Sequence, residues 1–339
     1  MTRMKEQFWT TASKEEENSI ISEEFENQFL DSKMGNKSPE WKNQTNPISL
    51  DLGQRQYIRR KLVHDFCHIN GTLSSLEKNR TFYDIPKHEL ENLIVDDRHG
   101  IIYCYVPKVG CTQWKRVMIV LSETLKVNGV PYKNPLDISY DDTHVRTNLV
   151  FLNRFSKQVM KEKLEKYKKF IFVRHPYVRL ISAYRDKFVK ENQEFYTRYG
   201  VHMLRKYGNN SSPPAKVKVA HAAGILPSFS NFIQYVTDPE TLKHGLFDEH
   251  WRQMYHLCHP CQINYDFIGK METMEEDAAF LLHILHVDNI VKLPPGYTNR
   301  TAESWVREWY ANIPDEWKRK LYKIYESDFK LFGYSDLGH

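Results

Sequence analysis

The sequence predicts an α/β fold: a three-layer, P-loop-like parallel sheet flanked by helices. Three observations predict it. Two short apolar strands are nearly continuous hydrophobic runs, as strands buried on both faces are. Each passes within a few residues into an apolar pattern of helical period. Proline or glycine punctuates each junction.

The first strand is Gly100-Ile101-Ile102-Tyr103-Cys104-Tyr105-Val106, β-branched and aromatic, as strands prefer. Pro107 and Gly110 end it. Trp114, Val117, Met118, Leu121 and Leu125 then fall at offsets 0, 3, 4, 7 and 11, one face of a helix. The second strand is Phe170-Ile171-Phe172-Val173, followed by Arg174, His175 and Pro176. A proline suits the first helical position, where its missing N–H costs little. Tyr177, Ile181, Tyr184 and Phe188 repeat at 0, 4, 7 and 11. Further helical patterns lie near Asp277–His286, Ala302–Ala311 and Asp315–Phe329.

The chain has 339 residues, 41% of them hydrophobic, enough for a sizeable core. Residues 1–55 are polar and charged and read as a disordered stem. Residues 56–339 read as one catalytic domain without a long linker or internal repeat. The net charge of +5 is mildly basic. It suits an anionic ligand but is far from a nucleic-acid-binding excess, and no nucleic-acid partner is expected.

Five cysteines are an odd number, so a fully paired disulfide scaffold is excluded. Cys258-His259-Pro260-Cys261 has half of a zinc-site spacing, but no second half follows. A buried pair or a local disulfide is the expectation there, and no metal site is expected. No run of about 18 apolar residues occurs, so no transmembrane helix is visible. Met1-Thr2-Arg3-Met4-Lys5-Glu6-Gln7 lacks the apolar core of a signal peptide. Against that stand seven Asn-x-Ser/Thr sites at Asn36, Asn43, Asn70, Asn79, Asn209, Asn210 and Asn299. They point to a secretory lumen and to N-glycans on the protein. A missing or alternatively spliced N-terminal anchor would reconcile the two signals.

The segment Pro107-Lys108-Val109-Gly110-Cys111-Thr112-Gln113 joins strand to helix and has the makings of an anion site. The first N–H groups of a helix lack intrahelical partners and carry partial positive charge. Gly110 lets a ligand approach the backbone; Lys108 adds a charge and Thr112 a hydroxyl. A nucleotide-kinase loop would place Gly-Lys-Ser/Thr at its end. Here the lysine precedes the glycine, and no acidic Mg²⁺ ligand is evident at a strand end. After the second strand, Arg174 and Ser182 stand eight residues apart. Ser182 is six residues past Pro176, roughly 9 Å along a helix axis. The pair can grip one phosphate from the strand end and the helix flank.

Pro-Lys-x-Gly-x-Thr-x-Trp and the later Arg-x₇-Ser resemble the two nucleotide-binding elements of sulfotransferases that use 3′-phosphoadenylyl sulfate (PAPS). Tyr103 to Arg116, Val173 to Arg185, Glu249-His250-Trp251, Cys258 to Cys261 and Tyr265 to Lys270 are similar to the Golgi carbohydrate sulfotransferases, closest to the chondroitin 4-O-sulfotransferases. The similarity runs from about Arg60 to Tyr334.

The resemblance implies the sulfotransferase fold and transfer of a sulfuryl group from PAPS to a sugar hydroxyl, without a required metal. The implied acceptor is the 4-position of N-acetylgalactosamine in chondroitin, with dermatan and terminal N-acetylgalactosamine glycans as alternatives. It implies a single-pass Golgi protein facing the lumen. Lys108 and the loop N–H groups would steady the leaving phosphate. Arg174, His175, Pro176, Tyr177, Val178, Arg179, Leu180, Ile181 and Ser182 would form the 3′-phosphate element.

The base is less determined. His144 lies between the two motifs, and His250 in Asp248-Glu249-His250-Trp251 is the second candidate. Arg116, Arg179, Arg185 and Lys187 could meet a polyanionic acceptor, though charged helix residues are commonly just solvated. Arg300 could cover the donor. A nucleotide kinase and a non-catalytic glycan-binding module are the competing classes. The loop argues against the latter, since a lectin has no use for a nucleotide site.

Overall fold

A computed structural model of the protein describes residues 47–68, 80–243, 245–295 and 303–336. Residues from Asp51 onward form one compact unit. The expected stem falls mostly outside the described residues, as do Asn36, Asn43, Asn70, Asn79, Asn299 and Arg300.

The first element is helix α1, Pro47–His68, so the boundary expected at 55/56 falls inside a helix. Four strands follow in one sheet: β1 (Leu93–Asp96), β2 (Ile101–Cys104), β3 (Lys168–Val173) and β4 (Phe267–Lys270), in the order β1-β2-β3-β4. β2, β3 and β4 are parallel. β1 is antiparallel to β2, with Leu93 opposite Cys104, so the parallel sheet that the sequence predicts carries one antiparallel edge strand. The cause is the connection. Four residues between β1 and β2, ending at Gly100 with φ 64°, can only make a hairpin. A parallel crossover needs a dozen residues or more.

The strands are buried because their side chains meet helices above and below. Tyr103, Phe170, Phe172 and Trp114 stack across the centre, with ring separations from 4.8 to 6.2 Å. Gly269 in β4 makes room for this group, since a Cβ there would lie 2.2 Å from the Phe172 ring. The outer edge of β4 is closed by α1. The Gln56 side chain accepts from the Ile268 N–H (3.0 Å) and donates to the Ile268 carbonyl (3.2 Å), mimicking a further strand. Arg59 adds bonds to the same carbonyl and to the buried Asp277. An edge paired in this way does not recruit foreign strands.

Seven helices matter for the site. They are α2 (Cys111–Ser122), α3 (Tyr140–His144), α4 (Lys157–Lys166), α5 (Pro176–Tyr184), α6 (Phe229–Thr237), α7 (Met254–Cys258) and α8 (Met274–Ile284). Two more, α9 (Glu303–Tyr310) and α10 (Asp315–Phe332), match the last two predicted helical stretches. α5 passes directly into a π-helical turn, Arg185–Val189. A second, largely aromatic core gathers α5, α6, α9 and α10 around Tyr177, Phe232, Trp251 and Phe329.

Cys258 and Cys261 are not joined to each other. Cys258 pairs with Cys104, and Cys261 with Cys67. The local pairing fails because the chain turns between them. His259 takes a left-handed φ of 46° at the end of α7, leaving Cys258 buried in the core and Cys261 half-buried. The observed Cα separations, 5.9 and 5.4 Å, are ordinary for a disulfide. Cys111 is the remaining free thiol.

Candidate functional site

Parallel α/β sheets bind ligands beyond the carboxyl ends of their strands. β2 and β3 are adjacent, and both end toward the same edge. β2 leads through Tyr105 and Val106 to Pro107, Lys108 and Val109. β3 leads to Arg174.

The loop after β2 is held in a particular shape. Lys108 has φ 71° and Gly110 φ 68°, so the chain turns left-handed twice before α2 begins. Such turns make concave sets of N–H groups that suit anions. Lysine at a left-handed position is unusual and is sustained by its surroundings. The Arg174 guanidinium donates to the Lys108 carbonyl at 3.0 Å. Gly110 could not be larger without displacing Met274, whose Cε would lie 3.0 Å from an added Cβ. The first bonds of α2 run from Gln113 and Trp114 to the Gly110 carbonyl. The N–H groups of Cys111 and Thr112 therefore have no intrahelical acceptor. Cys111, Thr112 and Gln113 are half-buried along this first turn, whereas Pro107 and Val109 are buried as its base.

Lys108 Nζ lies 3.0 Å from Asp186, in the π-helical turn. Burial lowers the lysine's pKa, and Asp186 opposes that. Asp186 also faces Lys187 and Lys190, each at 3.3 Å. Its carboxyl stays well below the usual range; burial pushes it up, but the Lys108, Lys187 and Lys190 charges outweigh this. Asp186 had no signal in the sequence beyond a charged stretch.

The residues expected to form a 3′-phosphate element divide by position. Arg174 is 7% exposed, and its Nε is buried without a partner. His175 donates its backbone N–H to Glu272 (3.0 Å) and its Nε2–H to the Ser335 carbonyl (3.0 Å). Burial lowers its pKa, against the Ser335 carbonyl and the Glu272 charge, which raise it. Pro176 starts α5, and Tyr177, Val178, Leu180 and Ile181 are packed into the second core. Ser182 is half-buried on the following turn. Arg179 is 1% exposed, with its guanidinium on backbone carbonyls, so it is turned away from any polyanion outside.

Of the two candidate bases, His144 meets the loop directly: its Nε2 is 3.3 Å from the Thr112 hydroxyl. It stands at the end of α3 with the Tyr140 ring 4.6 Å away. His144 is exposed, yet desolvation beside the loop, then the charges of Lys115 and Lys187, hold its pKa down to about 4. The imidazole is thus neutral at neutral pH, with a lone pair available. His250 is tied by Nδ1 to Asp248 at 2.7 Å.

Two residues that the sequence did not single out complete this wall. Tyr105 donates its hydroxyl to Glu249 at 3.1 Å, and Lys115 stands over the Tyr105 ring at 3.8 Å. Lys187 stands over Phe195 at 4.5 Å. Arg116 is engaged with Gln113, and Arg185 is exposed beside Trp305. Gln113 also reaches the Pro295 carbonyl at 3.4 Å.

The arrangement sets a lysine, a buried arginine, helix N–H groups without intrahelical acceptors and a neutral histidine around one loop. It can receive an anion, steady charge that develops on it, and take up a proton beside it.

A profile of the sulfotransferase family matches residues 91–335. Carbohydrate sulfotransferase 12 from Mus musculus is 57% identical over 291 residues, which cover 84% of this chain and 69% of that protein. Its Xenopus laevis namesake is 52% identical over 293 residues, covering 84% and 70%. Carbohydrate sulfotransferase 11 from Rattus norvegicus is 40% identical over 295 residues, covering 86% and 80%. No solved structure matches the chain significantly.

Proposed function

This chain belongs to the sulfotransferase family, and from that premise we propose that it is a carbohydrate sulfotransferase drawing its sulfuryl group from PAPS. The acceptor is a glycosaminoglycan or another N-acetylgalactosamine-containing glycan. The hydroxyl we assign is the 4-position of N-acetylgalactosamine in chondroitin, by the resemblance of the motifs. The relatives are named as carbohydrate sulfotransferases, which supports the class.

The residues suit such a donor. An unpartnered, buried Arg174 Nε and a loop whose Cys111 and Thr112 N–H groups lack intrahelical acceptors are features an anionic nucleotide would satisfy. Arg174 and Ser182 would hold its 3′-phosphate, and Lys108 with the Cys111 and Thr112 N–H groups its 5′ side. The bond from sulfur to the phosphate oxygen breaks, and one from sulfur to the sugar oxygen forms. Lys108 steadies the charge left on the phosphate. His144 Nε2 takes the proton of the attacking hydroxyl. With anions in the cleft, Lys115 and Lys187 no longer depress the histidine unopposed, so its basicity rises when the substrates are bound. His250 is the second candidate for that proton.

One observation carries the reading: the 3.3 Å contact between Thr112 and His144, which sets a neutral base against the donor loop. Two disulfides support an oxidising compartment, and the Golgi lumen is the location we assign. Asn209 is exposed, as a glycosylated residue must be. Among the described residues, no helix is long and apolar enough to cross a membrane.

The test is transfer of radiolabelled sulfate from PAPS to a panel of chondroitin, dermatan and N-acetylgalactosamine-terminated glycans, with disaccharide analysis of the product. Lys108→Ala should cost about 100-fold or more in kcat, the scale of losing one oxyanion-type donor. Arg174→Ala should weaken binding of adenosine 3′,5′-bisphosphate. Full activity in both variants would refute the mechanism. Nucleotide binding that requires Mg²⁺ and prefers ATP would favour a kinase instead.

A further inference from the structure

Arg179 lies on the buried face of α5, five residues after Arg174, and its guanidinium touches three separate pieces of backbone. Nε donates to the Pro107 carbonyl at 3.0 Å. One terminal nitrogen donates to the Arg252 carbonyl at 2.6 Å, the other to the Glu249 carbonyl at 2.7 Å. We propose that Arg179 is a positioning residue of the transfer reaction, fixing the donor loop and the Glu249–Arg252 segment in one register. The inference rests on the reading of this cleft as a sulfuryl-transfer site.

The Pro107 bond acts on the loop through the planar peptide. In a trans peptide the carbonyl and the next N–H point in opposite directions. Pinning the Pro107 oxygen inward therefore aims the Lys108 N–H outward. Arg174 pins the next carbonyl, that of Lys108. Two arginines thus set consecutive peptide planes and hold Lys108 at its left-handed φ of 71°.

The other two bonds act on the opposite wall. Glu249 takes the Tyr105 hydroxyl, and His250 is held by Asp248 through Nδ1. The segment they occupy is immobilised at several points. Tyr325 donates its hydroxyl to the Trp251 carbonyl. Asp328 accepts from the N–H groups of Met254 (2.7 Å) and Tyr255 (2.9 Å), and its charge opposes that of Arg179. The Cys104–Cys258 bridge links the end of β2 to the end of α7. Among these ties, Arg179 is the side chain that grips loop and segment at once. A planar guanidinium can do this because its donors diverge at fixed angles; an ammonium is a compact point charge without that geometry.

The decisive variant is Arg179→Lys, which keeps the charge and loses the geometry. Its kcat at saturating donor and acceptor should fall about 10- to 100-fold, the cost of small misplacements in a reacting pair. Its dissociation constant for adenosine 3′,5′-bisphosphate should move less than about 5-fold, because Lys108, Arg174 and the helix N–H groups remain. Met160→Ala is the comparison. Met160 is fully buried in α4, which precedes the far end of β3, so the change destabilises without touching the site. Equal loss of kcat per folded molecule in Met160→Ala would make the effect one of stability and overturn the proposal.

Arg179→Lys with kcat within about 2-fold of the native protein would overturn it too. Should Arg179→Lys fail to fold, Arg179→Met combined with Asp328→Asn removes both buried charges and is read by the same criteria. If the native protein and Met160→Ala transfer no sulfate to any acceptor, the proposed function fails, and the role given to Arg179 fails with it. If both transfer sulfate and Arg179→Lys does so equally well, only the role of Arg179 fails.

Discussion

Replacing Asp186 by asparagine removes the carboxylate paired with Lys108 while leaving a side chain of the same shape. The pair is separated by 3.0 Å, with side chains 18% and 25% exposed. At an effective dielectric of about 20, charges at that distance interact by about 5 kcal/mol. Partial exposure and the loss of other partners reduce this to about 1.5–3 kcal/mol, or one to two pKa units at about 1.4 kcal/mol each. The sign follows from the surroundings. Burial already lowers the pKa of Lys108 from 10.5, and Asp186 opposes that. Lys187, which also lowers it, would lose its own counter-ion. Asp186→Asn therefore moves the lysine further down.

The measurement is kcat/KM for the donor from about pH 6 to about pH 10, since this ratio reports groups of the free enzyme. The alkaline limb should shift to lower pH by about one to two units in Asp186→Asn. It should vanish in Lys108→Arg, because a guanidinium does not deprotonate in this range. An alkaline limb that stays in place in Asp186→Asn, or persists in Lys108→Arg, would refute the assignment of that ionisation to Lys108.

His144 gives a second pH test: its pKa, held down to about 4, keeps it neutral above that value. Measured as kcat/KM, which reports the free enzyme, activity should survive as pH falls through 6 and be lost near the depressed value, and His144→Ala should cost about 100-fold or more in kcat, with His250→Ala costing less. An acid limb near about 6.5, the ordinary imidazole value, would contradict the depressed state. The Cys104–Cys258 bridge closes a chain segment of 154 residues. Serine at both positions should cost about 3–5 kcal/mol in denaturant unfolding. An unchanged unfolding midpoint would show that the bridge does not constrain the chain.

The strand, turn and helix around the candidate loop were legible in the sequence, and the physical reason is local. A strand, a glycine turn and a helix are read from neighbouring residues, so Lys108, Gly110, Thr112 and Arg174 could be placed at strand ends before any contact was known. The antiparallel β1 escaped because Leu93-Ile94-Val95-Asp96 is short and lacks alternation. The disulfides escaped because spacing does not determine connectivity. Asp186 escaped for a subtler reason. In a regular helix, Arg185-Asp186-Lys187 reads as solvated charge. The π-helical turn there shifts the register, and Asp186 meets Lys108. Such turns are frequent at functional sites and have no simple sequence signature.

Arg179 marks the other limit of legibility. Its position within the Arg-x₇-Ser element made it look like a donor or acceptor ligand. Its partners are main-chain carbonyls of Pro107, Glu249 and Arg252, and every residue carries such an oxygen. No pattern of side chains can announce a bond of that kind. The charge on Arg179 thus points to anion binding in the sequence and to backbone geometry in the fold. A guanidinium buried to 1% exposure, with Asp328 as its counter-charge, is costly to lose and useless to a soluble polyanion. Its place is explained if the reaction depends on how accurately two segments, joined by neither sequence nor sheet, are held apart.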